Sequence, residues 1–347
     1  YKQSVISIEN RNVFDGKKVG LYYKFFDLGG DSLLLIRMQN KIKELLRKDI
    51  QITDLFKYPS VSSLAGFLTQ GDEERPYDFQ QIRERVKRQK QALSRHEPIA
   101  VIGLAGRFPG AGNTDAFWEN LCNGVDSVVT FTDEEMKASG ADPSLMNNPN
   151  YVRKGTVLDD IEMFDAAFFG VSPGEAAYMD PQHRLFMECA WETFENAGYD
   201  PDGFRGRVGV YAGSFFNFYL IKNLIPVPDF IEDDEHNVIL NDKDYLSTRV
   251  SYILNLKGPS VSLSTACSTS LVAIHLACQG LLTHQCDMAL AAGISVIPAQ
   301  KQGYLYKENG MRSPDGRCRA FDAEAKGTLF GSGMGSVLLK RLEDARA

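Results

Sequence analysis

The chain has 347 residues, 44% of them hydrophobic, and 38 Lys and Arg against 45 Asp and Glu, a net charge of −7. That composition is too apolar for a disordered chain and long enough for two or three domains with a full core. The acidic balance argues against nucleic acid as a partner, and no apolar run is long enough to span a bilayer.

In chain order, the first informative stretch is Phe25-Phe-Asp-Leu-Gly-Gly-Asp-Ser-Leu-Leu-Leu-Ile-Arg. Gly29 and Gly30 break the chain, Asp31 and Ser32 suit a helix start, and Leu33, Leu34, Ile36 and Met38 continue as a helix. Taken alone, Ser32 reads as an N-cap. Leu55-Phe-Lys-Tyr-Pro-Ser-Val-Ser-Ser-Leu follows, and residues 1–70 read as one helical unit. Gly71-Asp-Glu-Glu-Arg-Pro then interrupts regularity, and 78–95 predicts a polar linker helix with only Phe79, Ile82, Val86 and Leu93 on its apolar stripe. Those heptads are too few and too broken for a coiled coil.

From residue 97 onward short apolar segments alternate with helical ones. Ile99-Ala-Val-Ile-Gly, Val208-Gly-Val-Tyr-Ala-Gly and Met288-Ala-Leu-Ala-Ala-Gly-Ile-Ser-Val predict buried strands, and 181–197 and 268–283 predict helices. That alternation implies a layered α/β domain whose sheets are covered on both faces. In Pro259-Ser-Val-Ser-Leu-Ser-Thr-Ala-Cys-Ser-Thr-Ser-Leu-Val, Val261, Leu263 and Thr265 alternate with serines as a strand would, and a helix apolar on nearly every side, hence buried, follows Cys267. A cysteine at such a turn sits beside unpaired N–H groups of the first helical turn, which favour thiolate over thiol. The residues alone leave two readings for Cys267, a nucleophile or a small buried hydrophobe.

The segment around Cys267 resembles the active-site signature of β-ketoacyl synthases, the condensing enzymes of polyketide and fatty-acid synthesis. Glu97-Pro-Ile-Ala-Val-Ile-Gly, Phe168-Phe-Gly-Val-Ser-Pro, Met179-Asp-Pro-Gln-His-Arg, Ala190-Trp-Glu-Thr-Phe-Glu-Asn-Ala-Gly and Arg312-Ser-Pro-Asp-Gly-Arg-Cys-Arg-Ala-Phe-Asp match the same family in the same order. The resemblance covers 97–347. It implies a thiolase-like fold, layered α-β-α-β-α and incomplete at the C-terminus, with Cys267 as the acyl-accepting nucleophile. Ser264, where Asp is frequent, and Thr269, where Ser is frequent, remove no group the chemistry needs.

The Ser32 and Leu55 motifs together resemble a carrier domain of thiotemplate synthases, an all-α helix bundle incomplete at its front. This implies a 4′-phosphopantetheine arm on Ser32, with Asp31 assisting. Leu-Gly-Gly-Asp-Ser is closer to peptidyl carriers than to the commonest polyketide carriers. The chain is thus read as a carrier at 1–70, a charged linker at 71–96 and the N-terminal part of a ketosynthase at 97–347. It would belong to a polyketide or hybrid peptide/polyketide synthase. The implied partners are an acyl or peptidyl thioester, a malonyl-type extender on a downstream carrier, a phosphopantetheinyl transferase, an acyltransferase domain and a second ketosynthase.

Similar ketosynthases supply two histidines well downstream of the cysteine, in Glu-Ala-His-Gly-Thr-Gly and Asn-Ile-Gly-His, and neither motif occurs here. His275 lies on the helix after Cys267 but about eighty degrees around from it, and His183 stands where the family usually has Gln, which favours a structural role. The expectation is a chain cut at both ends from a larger polypeptide. Its alternative is a module that passes or docks thioesters without condensation.

Gly331-Ser-Gly-Met-Gly-Ser-Val lacks dinucleotide-loop spacing and reads as a glycine-rich strand near the pocket. The acidic run from Asp229 to His236 reads as a solvated loop, and no metal is expected. The first residues, Tyr1-Lys-Gln-Ser, lack a signal-peptide layout. Cys122, Cys189, Cys267, Cys278, Cys286 and Cys318 have no metal-type spacing and read as reduced thiols in the cytosol, all but Cys267 structural.

Overall fold

The computed structural model describes Tyr22, residues 32–46, 48, 50, 52–58, 60–70, 84, 97–227, 230, 234–308 and 310–347. The chain divides into two units, Tyr1–Gln81 and Ile82–Ala347.

The first unit contains helices α1 (Ser32–Leu46), α2 (Ile52–Lys57) and α3 (Val61–Gln70). Leu35, Met38 and Ile42 of α1 recur at three- and four-residue spacing and close on Ile50, Leu55, Val61, Leu64 and Leu68. Tyr58 stacks on Phe67 with centroids 4.7 Å apart, and Gln39 Nε2 donates to Ile50 O at 2.7 Å, tying the loop to α1. The helix expected to open at Ser32 does open there. The expected linker helix over 78–95 lies outside the described residues except for Glu84, which is helical.

The second unit is built on β1 (Ile99–Arg107), α4 (Pro181–Asn196), β2 (Val208–Ser214), α5 (Tyr245–Ile253), β3 (Ser260–Ser262), α6 (Thr269–Leu282), β4 (Met288–Ser295) and β5 (Gly333–Arg341). The sheet order is β1-β5-β4-β2-β3. β4, β2 and β3 run parallel, and β5 pairs antiparallel with both β4 and β1.

Alternation along the strands separates the two faces. Val208, Val210, Ala212, Met288, Leu290, Ala292 and Leu338 join Phe186, Met187, Ala190 and Phe194 of α4 and Leu246 and Val250 of α5. Burying each large side chain of that set is worth roughly 1.5–3 kcal/mol. Tyr211, Ala289, Ala291 and Leu339 face the other way, against Ala273, Ala277 and Leu281 of α6.

Two rows of small residues set how closely these helices approach. Ala212, Ala292, Ser336 and Ala105 are in register under α4, where Ser336 Oγ and Thr193 Oγ1 share a buried hydrogen bond of 2.6 Å. Gly213, Gly293, Gly335 and Gly106 form the next row, facing opposite.

Two expectations are corrected. α6 is not buried on all sides: its small residues Ala273, Ala277 and Gly280 meet the sheet, while His275 and Leu271, the latter 70% accessible, face outward. The acidic run is not a loop throughout, because Asp234–Asn241 is a helix whose Asn237, Leu240 and Asn241 are buried. Asn241 Nδ2 donates to Tyr178 O at 2.8 Å, which fixes that helix to the segment before α4. Among the described residues no helix is long and apolar enough to cross a membrane.

Candidate active site

β3 ends at Ser262, and Leu263 N still donates to Ala212 O at 2.9 Å, so the turn begins at the sheet. Ala266–Ser268 forms a 3₁₀ turn with Cys267 at its centre, and α6 follows directly. Ala266 takes φ +53°, a left-handed conformation that side-chain-bearing residues adopt at a cost and that recurs at functional turns.

Hydroxyls hold this strained turn. Thr269 Oγ1 accepts from Thr265 N at 3.0 Å and donates to Ala266 O at 2.8 Å. Ser268 Oγ lies 2.8 Å from Thr265 O and 3.0 Å from Thr265 Oγ1. Ser268 makes no side-chain cap to α6, which leaves N–H groups of the first turn beside Cys267 without one.

The glycine row brings the turn down onto the sheet. A Cβ at Gly213 would fall 2.1 Å from Leu263 O and 2.4 Å from Thr269 Cγ2, and one at Gly293 would fall 2.6 Å from Ser270 Cβ. No larger residue fits without moving the turn.

Cys267 is exposed and lines a cavity of about 450 Å³. Phe215, Phe216, Ile294, Ile297 and Phe330 form its apolar walls. Gly213, Gly293, Gly331 and Gly333 are backbone surface, so the glycine-rich stretch does run beside the pocket and into a strand, β5. Ser214 also lines the cavity, and its buried Oγ has no hydrogen-bond partner among the described residues. The sequence offered no signal for it.

Gln182 is a second residue that the sequence did not single out. Its Oε1 accepts from Phe215 N at 3.0 Å and Val296 N at 3.4 Å, and its Nε2 lies 3.3 Å from Phe215 O and 3.0 Å from Asp180 Oδ2. It therefore clamps the ends of β2 and β4, the strands that carry the cavity walls. Asp180 caps α4 by accepting from Gln182 N at 2.9 Å, and burial pushes its carboxyl up to about 6 despite those bonds.

The remaining titratable groups stand apart from this chemistry. His183 is fully buried, both ring nitrogens lack partners among the described residues, and burial, with Arg249 nearby, holds its pKa at about 3. It is neutral at pH 7 and does not line the cavity, as expected of a structural residue. His275 does not line it either. Burial pushes the Cys189 thiol up to about 12 and that of Cys286 up to about 11, so neither is a nucleophile. Cys122 and Cys318 are exposed instead of packed in the core, and all six cysteines are free thiols.

Ser32 is the first residue of α1, and Asp31 lies outside the described residues. A serine at a helix start fits a phosphodiester: it supplies the hydroxyl, and the dipole of a helix N-terminus favours the phosphate charge.

The comparisons agree with this geometry. Residues 96–345 match the N-terminal domain of β-ketoacyl synthase, and residues 23–68 match the phosphopantetheine attachment site family. The chain belongs to the β-ketoacyl synthase family, and a phosphopantetheine attachment domain precedes its synthase segment. It is 48% identical over 255 residues, 71% of its length, to a component of the phenolphthiocerol/phthiocerol polyketide synthase of Mycobacterium tuberculosis. It is 38% identical over 332 residues, 93% of its length, to mycoketide-CoA synthase of the same organism. The chain spans 17% and 8% of those two relatives.

Among solved structures, a ketosynthase of the bacillaene polyketide synthase from Bacillus amyloliquefaciens matches with TM-score 0.67 and 33% identity, over 72% of this chain and 44% of that one. A bacillaene ketosynthase from Bacillus subtilis matches with TM-score 0.60 and 37% identity, over 72% and 41%. The fold is the thiolase-like layering of these domains.

Proposed function

We propose that the chain is a carrier followed by the N-terminal portion of a ketosynthase in a modular polyketide synthase, with domains at 1–70 and 97–347 joined by a charged linker. Cys267 is the acyl acceptor. The exposed thiol on a strained strand-to-helix turn, opening on an apolar cavity of about 450 Å³, carries this reading. Cys267 Sγ attacks the carbonyl carbon of an acyl thioester, the donor leaves as a thiolate, and Sγ keeps the acyl group. The cavity walls take the acyl chain, and Gln182 keeps the ends of β2 and β4 in place around it.

Ser32 would hold the phosphopantetheine arm through its hydroxyl, and the arm supplies a thiol that carries acyl groups as thioesters. A phosphopantetheinyl transferase is the implied partner. Relatives aligned across both segments include a polyketide synthase, which supports an acyl cargo over the peptidyl one that the Leu-Gly-Gly-Asp-Ser motif suggests.

In the parent protein the acyl group on Cys267 would condense with a malonyl-type extender as carbon dioxide leaves. An acyltransferase domain would load that extender on a downstream carrier, a second ketosynthase would pair with this one, and the assembly would work in the cytoplasm. No histidine lines the cavity among the described residues, so these residues by themselves support acyl capture and not condensation. The test is mass spectrometry of the Cys267 peptide after incubation with an acyl thioester. Acyl mass on that peptide, absent in Cys267→Ala, supports the assignment, and equal labelling of the variant refutes it.

A further inference from the structure

The segment 215–219, whose Phe215 and Phe216 line the thiol cavity, is mounted on the start of α4. Gln182 Nε2 donates to Phe215 O at 3.3 Å, and Phe215 N is shared between Ile294 O at 2.9 Å and Gln182 Oε1 at 3.0 Å. The Tyr219 hydroxyl donates to Ala177 O at 2.7 Å, and the Arg184 guanidinium lies 5.8 Å from the centroid of the Tyr219 ring. Asn217 Nδ2 continues the attachment by donating to Asn241 O at 3.1 Å. Residues 177–184 do not themselves line the cavity. Any influence they have on it passes through the wall they carry.

Asp180 is the hub of that mount. Its N–H donates to Leu240 O at 3.2 Å, Oδ1 accepts from Gln182 N at 2.9 Å, and Oδ2 accepts from Gln182 Nε2 at 3.0 Å. The residue is 2% accessible, and Arg184 and Lys243 attract its charge without forming an ion pair with it. A helix cap alone needs no buried charge, since Asn or Ser serves as well. What a carboxylate adds is direction. It only accepts, so it draws Gln182 Nε2 toward itself and leaves Oε1 for Phe215 N and Val296 N. A protonated carboxyl can donate instead and so accommodate the amide turned over. That orientation sets Nε2 against two N–H groups and opens the clamp.

We propose that Asp180 is a positioning residue for acyl transfer: its carboxylate, through Gln182, holds the Phe215–Phe216 wall where it discriminates among acyl chains, and proton uptake relaxes that discrimination. The inference rests on the acyl-transfer reading of Cys267. Burial raises the Asp180 carboxyl to about 6, which brings the change between pH 7.5 and pH 5. Arg184 from α4 and Lys243 from the turn before α5 face this carboxyl, and His183 beside it, held at about 3, stays neutral at pH 5. His236 and Glu175, 3.5 Å apart, are the further titratable groups on the two helices packed before α4.

Acylation of Cys267 in the parent synthase should be followed at pH 7.5 and pH 5 with acetyl and octanoyl thioesters of pantetheine. Loss of thiolate in acid slows both donors alike, so the ratio of their kcat/KM values isolates the cavity. In the unaltered protein that ratio should move toward one by about fivefold on going to pH 5, the effect of about one hydrogen bond. Asp180→Asn keeps an oxygen for the cap but presents a donor to Gln182 Nε2, so its ratio should equal the acid value at both pH values. Gln182→Met, similar in shape but without the amide, should do the same and carries the test where Asp180→Asn fails to fold. A ratio constant with pH in the unaltered protein would overturn the proposal. A pH shift of equal size in Asp180→Asn would also overturn it, by assigning the effect to another group such as His236. Equal slowing of both donors in the variants, with the ratio and its pH dependence preserved, would leave Asp180 a structural residue and overturn it as well. No acylation of Cys267 by either donor would overturn the underlying reading, and the proposal with it.

Discussion

Acid should destabilise the ketosynthase segment through His183, and His183→Gln should remove that sensitivity. The imidazole is 1% accessible and has no hydrogen-bond partner among the described residues, and burial lowers its pKa from 6.5 to about 3. A histidine with a depressed folded pKa stays neutral in the fold but takes a proton when the chain unfolds. Its contribution is fully present above 6.5 and is lost as pH falls toward 3. At pH 5 the gap is 1.5 units below the unfolded value, and at about 1.4 kcal/mol per unit the loss is about 2 kcal/mol. Urea denaturation at pH 7.5 and pH 5, followed by tryptophan fluorescence with Trp191 on α4 as reporter, measures it. Asp180 titrates in the same range but is common to both proteins, so it cancels in the comparison. Equal losses in the unaltered chain and in His183→Gln would refute the argument, because acid sensitivity would then arise elsewhere.

Four further outcomes follow from the geometry. Ser32→Ala should abolish addition of phosphopantetheine by a transferase with coenzyme A, read as the missing mass increment on the carrier peptide; a modified variant would place the attachment elsewhere. Thr269→Val should slow Cys267 acylation by about tenfold, because Thr265 N and Ala266 O each lose a hydrogen-bond partner, while Thr269→Ser should stay near the original rate. Gly213→Ala should cost about 1–3 kcal/mol in denaturant stability, since its Cβ would overlap Leu263 O. The 347-residue chain supplied with acyl and malonyl carriers should give no β-ketoacyl product, and product should appear once downstream residues carrying the two family histidines are added; robust product from the chain alone would point to catalytic groups not identified in its cavity.

Local chemistry made much of this site legible in the sequence. The short apolar runs at Val208 and Met288, the turn at Cys267 and the helix opening at Ser32 all rest on short-range patterns, and the strands and helices stand within a few residues of where those patterns put them. What escaped depends on neighbours distant in the chain. Gln182 matters because Phe215 and Val296 lie against it, and Ser214 because its buried hydroxyl is left without a partner beside the cavity, and neither relation has a local signal.

The row of glycines beneath Cys267 limits how this pocket can change. At Gly213 and Gly293 its floor is main chain, and a side chain at either would collide with the turn that carries Cys267. If Cys267 takes acyl groups as proposed, adaptation to a different one would fall to the exposed wall positions such as Phe216 and Phe330. Exchanging those wall residues would reshape the cavity while the distance from sulfur to sheet stays constant. An engineer seeking a wider or narrower pocket should mutate those walls and leave Gly213 and Gly293 alone.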